Sequence, residues 1–344
     1  MKKNLIGNSN LSVTNLGIGT APIGGWPKAL EEDKAQETLE TAWQNGIRYF
    51  DTAPLYGFGM AEERLGKFLK NKNRDEYVVS TKVGRLIVAS DKNSSEEAFF
   101  KGAPNREPYF DFSYDATMRS FEESLKRLQM DKVDILLIHD PDNHYDEALN
   151  GALKAILKLK DEKVISAVGC GMNQNEMLTD FANTGLVDCF LLAGRFTLLD
   201  QRSLDSLIPA CEKNNVSLII GGVFNSGILV NPSSSSYFDY AQLNNSWYEK
   251  AKTLGVRYPK SYESNSYWLN KAIKINKICE GHKVTLKAAA LNFPYLNKNI
   301  ATVLTGVSSN EEVNENLNNY NTKINYDLWK DLIKQEMIQE KAIS

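Results

Sequence analysis

Short unbroken apolar runs alternate along this chain with longer stretches whose apolar positions recur at the spacing of one helix face. Apolar residues on either side of Gly7-Asn8-Ser9-Asn10 predict a small N-terminal β-hairpin. A regular beat follows, with strands predicted over residues 16–19, 48–50, 78–82, 133–139, 165–169, 189–192, 216–220 and 301–305. Helical patterns separate them over 33–44, 61–69, 115–128, 146–160, 175–183, 203–214, 268–296 and 310–317, and a terminal amphipathic helix is predicted over 326–338. Strands separated by helices pair in parallel, because a parallel pair needs a crossover, and eight repeats favour closing the sheet on itself. The expected fold class is therefore α/β, a (β/α)8 TIM barrel with an N-terminal β-hairpin, and residues 1–344 are expected to form a single domain.

Two stretches break the beat. Residues 86–112 contain Gly102, Pro104, Pro108 and several aromatic rings, and residues 228–267 contain a serine run and six tyrosines. Segments of this length without a clear pattern read as long loops, and since both follow strands, both are expected on the catalytic face of a barrel.

Composition narrows the class of partner. A net charge of −3 over 344 residues leaves no basic stripe for nucleic acid and no polybasic membrane anchor, so a small-molecule substrate is the expected partner. Lys2 and Lys3 are followed by Asn4, Gly7, Asn8, Ser9 and Asn10, which interrupt any leader-like apolar segment, and no run is long enough to span a bilayer. Cys170, Cys189, Cys211 and Cys279 lack metal-binding or redox spacing and are read as reduced and structural. The expected location is cytoplasmic.

The chemistry lies at strand ends. Asp51 follows the second barrel strand, Lys82 ends the third and His139 ends the fourth, while Tyr56 stands just beyond Asp51 in Asp51-Thr52-Ala53-Pro54-Leu55-Tyr56-Gly57. Taken singly, the aspartate could be a turn former and the tyrosine a packed loop ring. A lysine and a histidine at the ends of buried strands are costly to desolvate unless paired, so the four together point to catalysis. A free phenol has a pKa of about 10, and a neighbouring Lys82 is expected to lower that of Tyr56. Asp51 would hold the ammonium charged, and His139 would hydrogen-bond a substrate oxygen. Such a set polarises one oxygen and moves one proton, which suits hydride transfer with a nicotinamide. The fingerprint GxGxxG is missing after the first strand, so any dinucleotide is expected on the barrel mouth and not in a Rossmann fold.

With these residues in place the chain resembles the aldo-keto reductase superfamily, in Phe50-Asp51-Thr52-Ala53, Tyr56-Gly57, Glu63-Arg64-Leu65-Gly66, Ser80-Thr81-Lys82-Val83-Gly84 and Leu304-Thr305-Gly306-Val307-Ser308-Ser309. The resemblance implies a catalytic tetrad of Tyr56, Asp51, Lys82 and His139 using NAD or NADP. His139-Asp140-Pro141-Asp142, Gly169-Cys170-Gly171-Met172-Asn173-Gln174, Ala193-Gly194-Arg195-Phe196 and Gly222-Val223-Phe224-Asn225-Ser226-Gly227 resemble the D-threo-aldose 1-dehydrogenase (L-fucose dehydrogenase) branch, to which pyridoxal 4-dehydrogenases also belong. Implied cofactor-binding residues are Asn173, Phe224, Asn225, Ser226, Gly227, Gly306, Ser308, Glu312 and Asn316. The family's Ser-Asn pair reads Met172-Asn173 here, and its strand-six glutamine is replaced by Ala193 or a neighbour.

Glu312 falls where members preferring NADP carry an arginine, so NAD is the expected cofactor, with NADP as the alternative. Ser309-Asn310-Glu311-Glu312 is at the same time a capping box for the helix that follows. The resemblance implies oxidation of the anomeric carbon of a monosaccharide of the L-fucose, D-arabinose or L-galactose type to its lactone. Asn105, Arg106, Tyr109, Asp111, Tyr262 and Trp268 are candidates to hold the sugar. Alternatives within the family are a pyridoxal 4-dehydrogenase and a general aldehyde reductase. Outside it stand a cofactor-binding redox sensor and a metal-dependent hydrolase built on His139, Asp140, Asp142 and His144 with Asp51. The hydrolase reading leaves Tyr56 and Lys82 without a task, and no metal is expected.

Overall fold

The computed structural model describes residues 1–91, 99–233 and 265–344. β1 (Lys3–Leu5) and β2 (Ser12–Thr14) form the expected antiparallel hairpin. Its Ile6 and Val13 cluster with Val78, Ile135, Ala167 and Cys189, which lie at the amino ends of barrel strands, so the hairpin closes the end opposite the strand tips. Three barrel strands come next, β3 (Leu16–Gly19), β4 (Tyr49–Asp51) and β5 (Val78–Val83). The chain then leaves the barrel in an antiparallel ribbon, β6 (Arg85–Ala89) with β7 (Arg106–Phe110). It returns for β8 (Ile135–His139), β9 (Ala167–Met172), β10 (Cys189–Ala193), β11 (Ser217–Gly221) and β12 (Ile300–Gly306).

Eight strands close in the order β3, β4, β5, β8, β9, β10, β11, β12, every neighbouring pair parallel. Helices fill the crossovers: α1 (Glu32–Gln44), α2 (Met60–Leu69), α3 (Tyr114–Leu128), α4 (Leu153–Asp161), α5 (Glu176–Asn183), α6 (Leu207–Asn214), α7 (Asn265–Gly281), α8 (Leu286–Asn292) and α9 (Asn310–Tyr320). α10 (Tyr326–Lys334) packs on α7 and buries Leu328, Trp329 and Leu332. The fold is a (β/α)8 barrel. One apolar cluster fills the space between sheet and helices and a smaller one fills the barrel interior. Two acids stitch the strand starts together: Asp134 accepts from the Val79 backbone N–H and Asp188 from that of Val168, each also paired with a cation, Arg74 or Lys160.

Four expectations change. Residues 86–112 are not one long loop, because Leu86-Ile87-Val88 has the branched character of a strand and pairs in register from Arg85 opposite Phe110 to Ala89 opposite Arg106. Pro108 is tolerated there because a ribbon strand has a partner on one side only. The helix expected over 146–160 is a turn at Tyr145–Glu147, a π-helical stretch at Ala148–Ala152 and then α4. The helix expected over 203–214 begins at Leu207 after a 3-10 turn at Arg202–Leu204, since Pro209 has no N–H to give a preceding turn. The pattern over 268–296 divides into α7, α8 and a 3-10 turn at Phe293–Leu296, with Thr285 capping α8 through Ala288 N–H. Most of the second expected loop lies outside the described residues.

All four cysteines are free and buried. Among the described residues no helix is long and apolar enough to cross a membrane.

Candidate active site

Asp51 is the last residue of β4, Lys82 the last but one of β5, and His139 the last of β8. These strands are neighbours around the barrel, so the side chains converge at one point of its rim. Tyr56 reaches the same point from the tight turns after β4, where Tyr56 N–H bonds the Ala53 carbonyl and Phe58 N–H that of Leu55. Gly57 makes this possible. Its φ is +62°, and a side chain there would place Cβ 2.5 Å from the Gly24 carbonyl oxygen, so the turn demands glycine and fixes the tyrosine before it.

Every donor of Lys82 has an acceptor. Nζ donates to Asp51 Oδ2 at 2.7 Å, to the Thr52 carbonyl at 2.8 Å and to Tyr56 Oη at 3.2 Å. Asp51 Oδ1 accepts from Ser80 Oγ at 2.7 Å, and that hydroxyl also meets Tyr49 Oη at 2.9 Å. The Lys82 and Asp51 side chains are only 1% and 2% exposed, a burial that such an ion pair survives only when its remaining polar atoms are satisfied, as here. The His139 ring stands edge-on to Tyr56, 6.0 Å between centroids. Its Nε2 lies 3.6 Å from Asp140 Oδ2, and that carboxylate accepts from Arg85 Nη2 at 2.7 Å.

Burial acts against the Lys82 ammonium, but Asp51 and Tyr56 overcome it and hold its pKa above the ordinary lysine range. Burial lifts Asp51 above the usual aspartate range, opposed by Lys82 and Ser80. His139 is held well below the usual histidine value by burial and by the cations Arg85 and Lys82, so the ring is neutral at pH 7. Burial, with Asp142 adding to it, pushes Asp140 up to about 7 against the pull of Arg85. Tyr56 corrects the sequence reading: burial raises its pKa, the pull of Lys82 does not overcome this, and Asp51 opposes that pull. The resting phenol keeps its proton.

A cavity of about 630 Å³ runs from Tyr56, Lys82 and His139 past Asn173 and the turn after β11 to the start of α9. Asn173, Phe224, Asn225, Ser226, Gly227, Gly306, Ser308, Glu312 and Asn316 all line it, while Asp51 stands behind Lys82. Asn225 and Ser226 have φ of +45° and +54°, a strained geometry for residues with side chains and one that gathers at functional sites. The Asn173 Oδ1 atom is buried without a hydrogen-bond partner among the described residues. At the far end Ser309 Oγ caps α9 by accepting from Glu312 N–H, and Glu312 Oε2 reaches back to Ser308 N–H at 2.7 Å and Ser308 Oγ at 3.0 Å. Ser309 caps the helix as expected, but the reciprocal half of the capping box is shifted by one residue, the Glu312 carboxylate accepting from Ser308 and not from the Ser309 N–H, and that carboxylate occupies the anion-attracting helix start.

The residues expected to hold a sugar are placed elsewhere. Arg106 pairs with Glu63 at 2.7 Å, Tyr109 bonds Arg119, Asp111 accepts from Ser113 N–H, and Trp268 belongs to the outer core. None of these, nor Asn105, lines the cavity, and Tyr262 lies outside the described residues. Trp26, Phe99, Phe100, Asp140 and Arg195 line it instead. Phe99 and Phe100 had a signal in the aromatic content of 86–112, whereas Arg195 and Asp140 lie within motifs shared with the branch but carry no pattern that marks them as cavity wall. Among the described residues no group of three or more His, Cys, Asp or Glu side chains is placed to hold a metal, and His144 pairs instead with Glu147 at 3.0 Å.

The chain resembles proteins of one family by sequence and by fold. Pyridoxal 4-dehydrogenase from Microbacterium luteolum is 34% identical over 98% of each chain. D-threo-aldose 1-dehydrogenase from a Pseudomonas species is 34% identical over 96% of each chain. The solved structure of a Bacillus halodurans aldo-keto reductase in its holo form superposes with a TM-score of 0.73, at 21% identity over 99% of each chain. Residues 15–334 match the aldo/keto reductase family, so the chain belongs to that family of oxidoreductases.

Proposed function

We propose that this protein oxidises the anomeric carbon of a free aldose of the L-fucose, D-arabinose or L-galactose type to its lactone, with NAD as hydride acceptor. The observation that supports it best is Lys82 Nζ lying 2.7 Å from Asp51 and 3.2 Å from Tyr56 Oη on the cavity wall. A bound nicotinamide dinucleotide supplies the acceptor or donor of hydride. The cavity suits one: the open Asn173 Oδ1 is a partner for a carboxamide, residues 224–227 line the middle, and Gly306, Ser308, Glu312 and Asn316 form the adenosine end.

On this reading Tyr56 exchanges a proton with the substrate oxygen, and the neighbouring ammonium of Lys82 eases that exchange in both directions. Neutral His139 donates a hydrogen bond to the same oxygen and orients it. Asp51 holds Lys82 charged and aimed. In aldose oxidation the phenol must first lose its proton, so the rate should keep rising with pH through the alkaline range and not level off near neutrality, in keeping with the raised Tyr56 pKa. Residues 1–344 act as one domain on this reading, and the four free, buried cysteines agree with a reducing compartment such as the cytoplasm.

The substrate is tested by a panel of free aldoses, pyridoxal and simple aldehydes with NAD and NADP. An aldose should lead in kcat/KM, and pyridoxal or a plain aldehyde ahead by about tenfold or more would contradict the sugar assignment. A pyridoxal 4-dehydrogenase is the second reading, favoured by the 34% identity to the Microbacterium luteolum enzyme.

NAD should be preferred over NADP, because a 2′-phosphate at the start of α9 would meet the Glu312 carboxylate already bonded to Ser308. Glu312→Arg should improve kcat/KM with NADP by about tenfold or more, the order expected of replacing a repelling charge with a charge-assisted donor. Equal efficiency with both cofactors in the wild type would count against this assignment.

A further inference from the structure

Asp140 is a cavity-wall residue that the proton chemistry leaves without a task. It follows His139 directly, its φ of +45° is uncommon for a residue with a side chain, and its N–H is fixed to the Gly171 carbonyl at 3.0 Å. That backbone turns the carboxylate to the cavity, where it is 7% exposed. Behind it stands Arg85, 2% exposed, donating Nη2 to Asp140 Oδ2 at 2.7 Å with its guanidinium 4.8 Å from the Phe110 ring. Arg85 and Phe110 are opposite each other in the β6–β7 ribbon, so the ribbon that replaced the expected loop aims the acid.

The same Oδ2 is 3.6 Å from His139 Nε2. His139 and Tyr56 would flank the reacting oxygen, so a carboxylate this near the imidazole is within reach of the substituent next to that oxygen on the substrate skeleton. Arg85 occupies part of the lone-pair capacity of the carboxylate and leaves the rest for a donor. We propose that Asp140, aimed by Arg85, accepts a hydrogen bond from the hydroxyl on the carbon adjacent to the reacting carbon. It thereby makes the enzyme prefer α-hydroxylated substrates, aldoses among them, over plain aldehydes. This specificity-determining role rests on the oxidoreductase reading of the site and not on any one sugar.

The test compares kcat/KM for reduction of 2-hydroxypropanal and propanal, with whichever of NADH and NADPH supports turnover, in wild type and Asp140→Ala. The wild-type ratio should favour the hydroxylated aldehyde by about tenfold or more, since a buried acceptor left empty by propanal is penalised. Asp140→Ala should bring the ratio close to one. An acid that only anchors the ribbon would lower both rates together and leave the ratio unchanged, which overturns the proposal. If loss of the partner of Arg85 prevents Asp140→Ala from folding, Asp140→Asn keeps the shape and drops the charge, and it should move the ratio part of the way. A wild-type ratio near one overturns the role of Asp140 while leaving the aldose reading to its own panel. Failure of aldoses in that panel with a high ratio here overturns only the sugar.

Discussion

Lys82→Met should abolish turnover and destabilise the protein by about 3–5 kcal/mol, the usual consequence of leaving one member of a buried ion pair without its partner. Methionine nearly fills the space of the lysine stem, so packing changes little and the loss is electrostatic. Asp51, 2% exposed, would keep Ser80 Oγ and lose the ammonium at 2.7 Å. An unpaired buried carboxyl has its pKa raised further, so the folded variant binds a proton that the unfolded chain releases above about pH 4. Folded-state stability therefore falls as pH rises through that window, and the penalty measured at neutral pH should shrink in mild acid. Thermal unfolding at several pH values reads this directly. A variant with wild-type melting temperature and wild-type kcat would show that the Asp51–Lys82 pair neither supports the barrel rim nor assists Tyr56.

Most of the barrel was legible because its two textures are physically distinct. Strands such as β5 and β8 are buried throughout, with no solvent face to interrupt the apolar run, whereas α3 alternates around one buried stripe. The π-helical stretch before α4 was not legible; within it Gly151 packs so closely that a side chain there would place Cβ 2.4 Å from the Phe112 carbonyl, a tertiary contact that helical spacing does not reveal. The β6–β7 ribbon was hidden by Pro108 and by the glycine and proline between its strands, which resemble loop composition until the pairing is known.

The four residues read as a tetrad are brought together because three close adjacent strands and the fourth follows one of them. Strand ends can be counted from sequence, so this convergence was accessible. The protonation of Tyr56 was not. It depends on how far the half-buried phenol is desolvated and on Asp51 sitting behind the cation, which are distances and not spacings. The same limit explains why the sugar candidates among the described residues do not line the cavity. Arg106 has the chemistry to hold a hydroxyl, but Glu63 and the Phe58 carbonyl take its Nη1 group. Asp140, in sequence a member of a branch motif and a metal-ligand candidate, is drawn into the cavity wall by a backbone conformation that no pattern announced.

Tyr56→Phe removes one oxygen atom from the site and little else. The ring is packed between Phe100 and His139, contacts that phenylalanine keeps, and Asp51 and the Thr52 carbonyl still take two of the three Lys82 donors, leaving the third to face the cavity. Stability should fall by no more than about 1–3 kcal/mol, the cost of one unmade hydrogen bond. Loss of a general acid or base costs about 10² to 10⁴ in rate, and because Tyr56 acts on the substrate oxygen, the loss should fall on kcat. His139 does not replace it, since a ring whose pKa is held well below its usual value is a weak base for oxidation and carries no readily lost proton for reduction at pH 7. The most direct measurement sets kcat of Tyr56→Phe beside its NADH affinity, read by fluorescence on the same folded protein. The proton role of Tyr56 requires a loss of roughly 10² or more in kcat with cofactor affinity held within a few-fold. A Tyr56→Phe enzyme that turns over near the wild-type rate would contradict it.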